Sequence, residues 1–220
     1  MRRRPTTRQP VLQRLVLPDL EDATSEDLAP DQVHDGLRLT GEDISGQDLT
    51  GATFTECALE NVTAHTTVLQ HARLLETRIE RLRAPVLRAT GSTWRDVEIV
   101  DSRLGAMDVD DAELRSTHLR GCKIDWLNLR SATLEDVLLE DCTIDELDLG
   151  GARATRLAFT NCRVGTLALP HAHLQDVDLR GLEIGALGNV EGLTGATLDT
   201  RQVLDLAPAL AAHLGIRVED

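Results

Sequence analysis

Every fifth residue from Leu39 to Ile184 is apolar, which gives thirty apolar positions in one uninterrupted frame. Twenty-five of these thirty residues are Leu, Ile, Val or Phe. A second set of mostly small or apolar residues lies two places before the first, and it includes Ala52, Cys57, Val62, Ala72 and Ala112. The other three positions of each five-residue unit are mainly polar. Any fold for this chain must therefore bury two side chains from each unit.

A five-residue period fits neither an α-helix, with about 3.6 residues per turn, nor a strand, whose side chains alternate with a period of two. In a short extended stretch, residues two apart point to the same side, so each unit can turn two side chains inward and then bend. Four bends close a square coil of twenty residues. Small residues recur at this spacing, in one column that contains Ala52, Ala72, Ser92, Ala112, Ala132, Ala152 and Ala172. The sequence therefore predicts a solenoid with four faces per coil.

These units resemble those of pentapeptide repeat proteins, in which Ala stands two places before a central Leu or Phe, often with Asp or Asn nearby. Matching pairs are Ala52/Phe54, Ala72/Leu74, Ala112/Leu114, Ala132/Leu134 and Ala172/Leu174. The resemblance implies an all-β solenoid, specifically a right-handed quadrilateral parallel β-helix. It implies no single role, because solenoids of one shape serve many functions.

Both ends of the repeat need caps, because an exposed terminal coil offers unpaired strand edges to other chains. We expect residues 1–30 to form an N-terminal tail and cap, with residues 1–9 disordered, and residues 31–198 to form the β-helix. The frame fails at Asn189 and resumes one step out of register at Ala196 and Leu198. Residues 199–220 are predicted to form a C-terminal helical cap or a dimerisation segment.

The C-terminal segment carries an apolar stripe with helical spacing, formed by Val203, Leu206, Leu210 and Leu214. We expect Pro208 to divide this segment or to begin a second helix, and Gly215 to end it. The stripe predicts an α-helical lid on the last coil. Gyrase-protecting pentapeptide repeat proteins join through C-terminal helices, so the resemblance implies a homodimer contact as the alternative.

The charge and the motifs exclude several classes of function. Asp and Glu number 37 against 23 basic residues, so the net charge is −14, and we expect the chain to repel nucleic acid and attract basic partners. No nucleophile motif, phosphate-binding glycine loop or metal-ligand spacing is present, so we predict no enzyme activity and no cofactor or metal. No stretch approaches the ~20 apolar residues of a membrane helix, and residues 11–17 make a poor signal peptide. A cytoplasmic protein with the column of Cys122, Cys142 and Cys162 reduced and buried is expected.

Two acidic groups are candidate partner-binding surfaces. The acidic column consists of Glu56, Glu76, Asp96, Ser116, Asp136, Arg156 and Asp176, which are stacked outward positions. Neighbouring like charges about 5 Å apart cost up to ~1 kcal/mol in water, and the fold by itself gives no reason for them. The acidic collar consists of Glu135, Asp136, Glu140, Asp141, Asp145, Glu146 and Asp148, with no basic residue among them. Trp126 lies outside the coil nearby, where it is a candidate aromatic anchor.

The leading interpretation is a non-catalytic acidic rod that serves as a scaffold for a protein partner with a basic surface. The alternative, implied by the resemblance, is a DNA mimic that binds DNA gyrase or topoisomerase IV and modulates supercoiling or quinolone sensitivity. Duplex DNA carries roughly 21 charges over ~36 Å, the length expected for this rod. Residues 39–190 carry a net charge of −10. This charge density, about half that of DNA, favours the scaffold.

Overall fold

In the computed structural model, which describes residues 6–219, the chain winds into a parallel β-solenoid of about nine turns followed by one helix. The strands form a fourteen-stranded and a seven-stranded sheet. Each five-residue unit supplies a short extended stretch that pairs with the equivalent stretch of the next coil, and neighbouring units often merge into one strand.

The strands are β1 (Glu21–Ala23), β2 (Val33–Asp35), β3 (Leu37–Thr40), β4 (Thr53–Thr55), β5 (Ala58–Glu60), β6 (Thr67–Val68), β7 (Arg73–Leu75), β8 (Arg78–Glu80), β9 (Arg83–Arg88), β10 (Thr93–Val100), β11 (Arg103–Asp108), β12 (Glu113–Arg120), β13 (Lys123–Asn128), β14 (Thr133–Glu140), β15 (Thr143–Asp148), β16 (Arg153–Thr160), β17 (Cys162–Ala168), β18 (His173–Gln175), β19 (Val177–Asp178), β20 (Leu182–Gly188) and β21 (Ala196–Thr197). Short 3-10 turns lie at Ser25–Asp27 and Val190–Leu193, and the helix α1 spans Thr200–His213.

Through the body of the rod, paired residues of neighbouring strands are twenty positions apart in the sequence. Val33 pairs with Thr53, and the pairs that follow keep the same interval as far as Ala168 and Gly188. The interval changes only at the ends, where β1 pairs with β3 at sixteen residues and β19 pairs with β21 at nineteen. The change at the C-terminal end is the one-step shift that Ala196 and Leu198 predict.

The interior of the rod is lined as the frame predicts. All thirty frame residues are buried except Leu174 and Ile184, which are half-buried in the last coils. The large Trp94 and the small Ala84 are both buried, so a bulky side chain is balanced by a small one in the core, as close packing requires. The thiols of Cys122, Cys142 and Cys162 are buried and free. These observations confirm the quadrilateral β-helix.

Three of the four corners have left-handed backbone at every coil, at the residue two places after each frame residue. Many of these corner residues are Gly, Asp or Asn, which tolerate positive φ better than most residues. The fourth corner is left-handed at Gly46 and Thr66 but becomes extended from Val86 onward, where β9 and the strands stacked on it run through it without a turn. The corners therefore differ in backbone although they share one repeat.

The C-terminal segment is one continuous helix, so the predicted division at Pro208 is wrong. Proline removes a single main-chain donor. Asp199 accepts a hydrogen bond from the Gln202 N–H at 2.8 Å at the start of α1, and helical bonding persists at its end. Gly215 follows the helix with a φ of 70°, as predicted.

The predicted boundaries after residues 30 and 198 stay a prediction, although β1 already belongs to the sheet. Within residues 6–219, no helix has the length and apolar character needed to cross a membrane.

Candidate partner-binding surface

The acidic column occupies one of the left-handed corners. Asp96, Asp136 and Asp176 have φ values of 56°, 57° and 54°. Asp is several-fold enriched in this conformation, so the corner supplies a structural reason for these three residues that the sequence reading missed. The Glu residues at positions 56 and 76 share the conformation without that preference.

A segment outside the repeat lies on this corner. We call residues 6–20 the N-terminal strap, because they run along the rod from its C-terminal coils toward β1 without forming a helix or strand. The Arg8 side chain pairs with Asp176 at 2.7 Å, and the Gln9 amide donates to Asp178 at 2.7 Å. The prediction of disorder is therefore wrong for residues 6–9, while residues 1–5 lie outside the described residues.

The strap also uses its main chain to bind the column. The Val11 N–H donates to an oxygen of Asp136 at 2.9 Å, and the Gln13 N–H donates to the Ser116 hydroxyl at 3.0 Å. Further along, Val11 and Leu15 line a cleft together with Glu76 and Asp96. Much of the column that the sequence offers as free surface is thus in contact with the chain's own N-terminal segment.

Asp136 is the best-satisfied carboxylate of the column. It is only 8% exposed, and Arg156 donates to both of its oxygens, through Nε at 2.6 Å and Nη2 at 2.7 Å. The guanidinium of Arg156 holds the pKa of Asp136 below its usual range, against the opposing effect of burial, and the Val11 N–H acts in the same direction as Arg156. While the strap is bound, Asp136 is therefore a buried anchor of the strap and not an exposed carboxylate.

The carboxylates that contact the N-terminal end of the strap, in the C-terminal coils of the rod, are held in the same way. Hydrogen bonds from Arg8 lower the pKa of Asp176. Hydrogen bonds from Arg180, helped by Gln9, lower the pKa of Asp178 despite its burial. Both carboxylates therefore remain ionised when the strap is bound.

The acidic collar divides into paired and unpaired members. Glu135 pairs with Arg156 at 2.7 Å, Glu140 lies 3.1 Å from a His118 ring nitrogen, and Asp148 pairs with Arg130 at 3.0 Å. Asp141 accepts a hydrogen bond from the Asn161 amide at 2.6 Å. Within residues 6–219, Asp145 and Glu146 are exposed and make no ion pair. The collar is thus not one continuous field of free negative charge.

The unpaired acids lie beside the predicted aromatic anchor. Trp126 and Glu146 are direct neighbours in the register of β13 and β15, on the corner that is extended. Trp126 is half-buried, and Asp125 and Asp145 are exposed next to it. We call Asp125, Trp126, Asp145 and Glu146 the Trp126 corner. In each twenty-residue coil the column position is ten residues from the corner of Trp126. The column and Trp126 therefore lie on opposite corners of the rod.

The apolar stripe of α1 is only partly covered. Leu206 and Leu210 are half-buried, whereas Val203 and Leu214 are 44% and 71% exposed. Gln202 closes the last coil, because its amide donates to the Leu182 carbonyl at 2.8 Å. This contact fits the predicted lid, and a contact between two copies stays a prediction.

The sequence reading missed Arg8, Val11 and Gln13 as contacts of the column. The repeat does carry a signal that a segment covers the rod, although it does not identify these three residues, at outward positions where a polar residue is expected. Ala58, Val100 and Ala158 take such positions and are 2%, 8% and 3% exposed. Apolar residues on the outer face of a solenoid indicate that something covers that face.

Neither family models nor characterised proteins gave a match to the chain. Among solved structures, full-length QnrB1, a plasmid-mediated fluoroquinolone resistance protein, is 19% identical over 86% of this chain and 94% of its own, with a TM-score of 0.36. A trypsin-treated QnrB1 variant is 22% identical over 86% and 91%, with a TM-score of 0.32. HetL from the cyanobacterium Nostoc, a pentapeptide repeat protein involved in heterocyst differentiation regulation, is 16% identical over 74% and 90%, with a TM-score of 0.29.

The solved structures that this chain resembles are thus pentapeptide repeat proteins, as its sequence predicts. The low identities and TM-scores support no transfer of a role. The fold itself is established by the twenty-residue register and the buried frame.

Proposed function

We propose that this repeat scaffold is a non-catalytic cytoplasmic protein that binds a partner with a basic surface through the Trp126 corner. The observation that carries this proposal is the group of exposed carboxylates of Asp125, Asp145 and Glu146 around the half-buried Trp126, which make no ion pair within residues 6–219. An aromatic side chain within a charged rim is a typical arrangement for a binding hot spot. The carboxylates of the column are less available, because Arg156 and the strap already bind several of them.

The proposal can be tested with a defined basic probe. Trp126 is half-buried and Trp94 is 1% exposed, so acrylamide quenches mainly the fluorescence of Trp126. A ten-residue peptide of alternating Lys and Gly should protect Trp126 from quenching, and a peptide of alternating Glu and Gly should not. The protection should weaken as salt rises, since surface charges are screened within about 8 Å at physiological ionic strength.

A charge-matched control separates a local site from general attraction to an acidic rod. Replacing both Asp145 and Glu146 by Lys should weaken binding of the basic peptide at least tenfold. Replacing both Asp111 and Glu113 by Lys makes the same change of net charge on another part of the coil, where both side chains are exposed. Equal losses in the two double variants would contradict the proposal.

The DNA-mimic alternative makes a different prediction. A mimic that occupies the DNA site of gyrase should inhibit supercoiling by purified gyrase, and Glu146→Lys should relieve that inhibition. We expect no inhibition at tens of micromolar protein, because the rod has about half the charge density of DNA and its column is partly neutralised by Arg8 and Arg156. Salt-sensitive inhibition would favour the mimic over the scaffold.

A further inference from the structure

The strap lies on the column as an extended peptide. Residues 8, 11 and 13 bind positions 176, 136 and 116 in turn. Five residues of extended chain span about 17 Å, and the three coils between positions 176 and 116 span about 14 Å. The spacing of acceptors along the corner therefore matches the length of an extended chain that runs nearly parallel to the rod axis.

The strap is attached without any sheet ladder. Among the described residues, no main-chain hydrogen bond joins residues 6–20 to a carbonyl or N–H of the rod, and the first such bond is made by Glu21 to Gly36. The contacts are instead made to side chains such as Asp136 and Ser116. Release of the strap would therefore leave every strand pair of the rod intact.

The surface beneath the strap is also partly apolar. Leu15 is 8% exposed, and it lines a cleft with the outward-facing Ala58 and Val100. Clefts of about 660 and 650 Å³ lie along the strap, and Leu15 borders both. The strap therefore leaves open space beside it, and the rod surface there contains charged side chains as well as the apolar Ala58 and Val100.

We propose that this corner is a peptide-binding groove that the strap occupies in cis, and that it accepts an extended basic peptide from another protein in the strap's place. Asp136 and Ser116 receive main-chain N–H groups of the extended chain, and Asp176 selects an Arg at the first position. The apolar patch of Ala58 and Val100 within the cleft selects a Leu seven residues later, as in Arg8 and Leu15. This groove is separate from the Trp126 corner, and its test does not depend on that surface.

The experiment uses the full chain with a specific protease site inserted between Pro18 and Asp19, which are both exposed. After folding, the chain is cut and washed in ~1 M salt, where charges are screened within about 3 Å. Loss of the fragment is followed by mass spectrometry. A fluorescent peptide of residues 6–17 is then titrated and followed by anisotropy. The cut chain should bind this peptide at least tenfold more tightly than the uncut chain, because a tethered strap competes at high effective concentration.

Two substitutions locate the binding. Asp176→Asn should weaken peptide binding to the cut chain about tenfold, because a charge-assisted contact with Arg8 is lost and Asn tolerates the left-handed corner. Asp111→Asn changes a carboxylate with a φ of 54° at a different corner and should leave binding within about twofold. Equal effects of the two substitutions, or no binding by the cut chain, would overturn the proposal.

A variant of the uncut chain covers the case in which cleavage damages the fold. Val11→Pro removes the N–H that binds Asp136 and leaves the strap tethered. Circular dichroism should show an unchanged rod, and the intact variant should bind the labelled peptide at least threefold more tightly than the intact parent. If the peptide binds both intact chains equally, the strap does not occupy the groove and the proposal fails.

Discussion

The acidic column and the Trp126 corner are both outward corners of one repeat, but residues 6–20 cover the column and not the Trp126 corner. At the column the backbone is left-handed, and carboxylates such as Asp136 are bound by Arg156 and by the strap. At the Trp126 corner the backbone is extended, and Asp145 and Glu146 are exposed without ion pairs among the described residues. The repeat therefore determines where side chains point, whereas a segment outside the repeat determines which of them remain available.

The two corners should differ most in the free energy of unfolding that is lost when a β-branched residue is introduced. Asp136→Val forces valine into the left-handed region and leaves Arg156 without its bidentate partner, so we expect a loss of about 3 kcal/mol in unfolding free energy. Glu146→Val lies in extended backbone and should change stability by no more than about 0.5 kcal/mol. Urea denaturation followed by circular dichroism measures both. Similar losses would show that the two corners do not differ in backbone as described.

The ion pairs near the two corners should also differ in strength. Arg156 is 18% exposed and bridges Glu135 and Asp136, so Arg156→Ala should cost about 2 kcal/mol by leaving Asp136 buried without its main partner. Arg163 is 69% exposed and pairs with Glu183, so Arg163→Ala should cost no more than about 0.5 kcal/mol. The comparison uses one residue type and one method of denaturation. A larger cost at Arg163 would contradict the assignment of Arg156 as the anchor.

A smaller effect is expected from the apolar anchor of the strap. Leu15→Ala should weaken strap binding by about 1.5 kcal/mol, because a buried Leu side chain contributes roughly that amount. The rod itself should be as stable as before. Tryptic cleavage after Arg8 should become about tenfold faster, which is the expected increase in the open population. Val16→Ala is the control, since Val16 is 73% exposed and should not change the rate.

Lowering the pH should change binding of the strap least of all near neutral pH. In strong acid the strap should be released. Arg156 lowers the pKa of Asp136 whether or not the strap is bound, and the Val11 N–H of the bound strap lowers it further, whereas Arg8 lowers the pKa of Asp176 only while the strap is bound. The part of each lowering that the strap supplies favours the bound strap above the carboxyl pKa of the strap-free rod, and this contribution is lost as pH falls through the lowered values. The amide NMR signals of Val11 and Gln13 should therefore be constant from pH 7 to 5 and move toward free-peptide positions in stronger acid. A transition near neutral pH would point to other groups.

Much of the fold could be predicted because each unit repeats the same local geometry. The frame identifies the buried residues, and the shift at Ala196 and Leu198 predicts the nineteen-residue interval at the last coil. The prediction of a break at Pro208 was wrong because a proline inside a helical pattern is compatible with either a break or a continuous helix, and the structure has a continuous helix from Thr200 to His213.

The candidate surface was less predictable than the fold. The period shows that the column points outward, but residues 6–20 have no period that would place them on it. Arg156 stands in the column one coil after Asp136, and the structure makes it the partner of Asp136, which the sequence analysis did not predict. Contacts between a repeat and a segment outside it depend on where that segment lies in the tertiary structure, and the repeat period does not predict this. The buried outward residues Ala58 and Val100 were the available clue.

The most direct test of the central claim is the hydrogen exchange of the Val11 and Gln13 amides in the full chain. If the strap lies on the column, both amides should exchange at least tenfold more slowly than in a free peptide of residues 6–20, because each donates to a side chain of the rod. Asp136→Asn should accelerate exchange at Val11. Exchange of both amides at the free-peptide rate in the unmodified chain would show that the column is uncovered and would contradict the account.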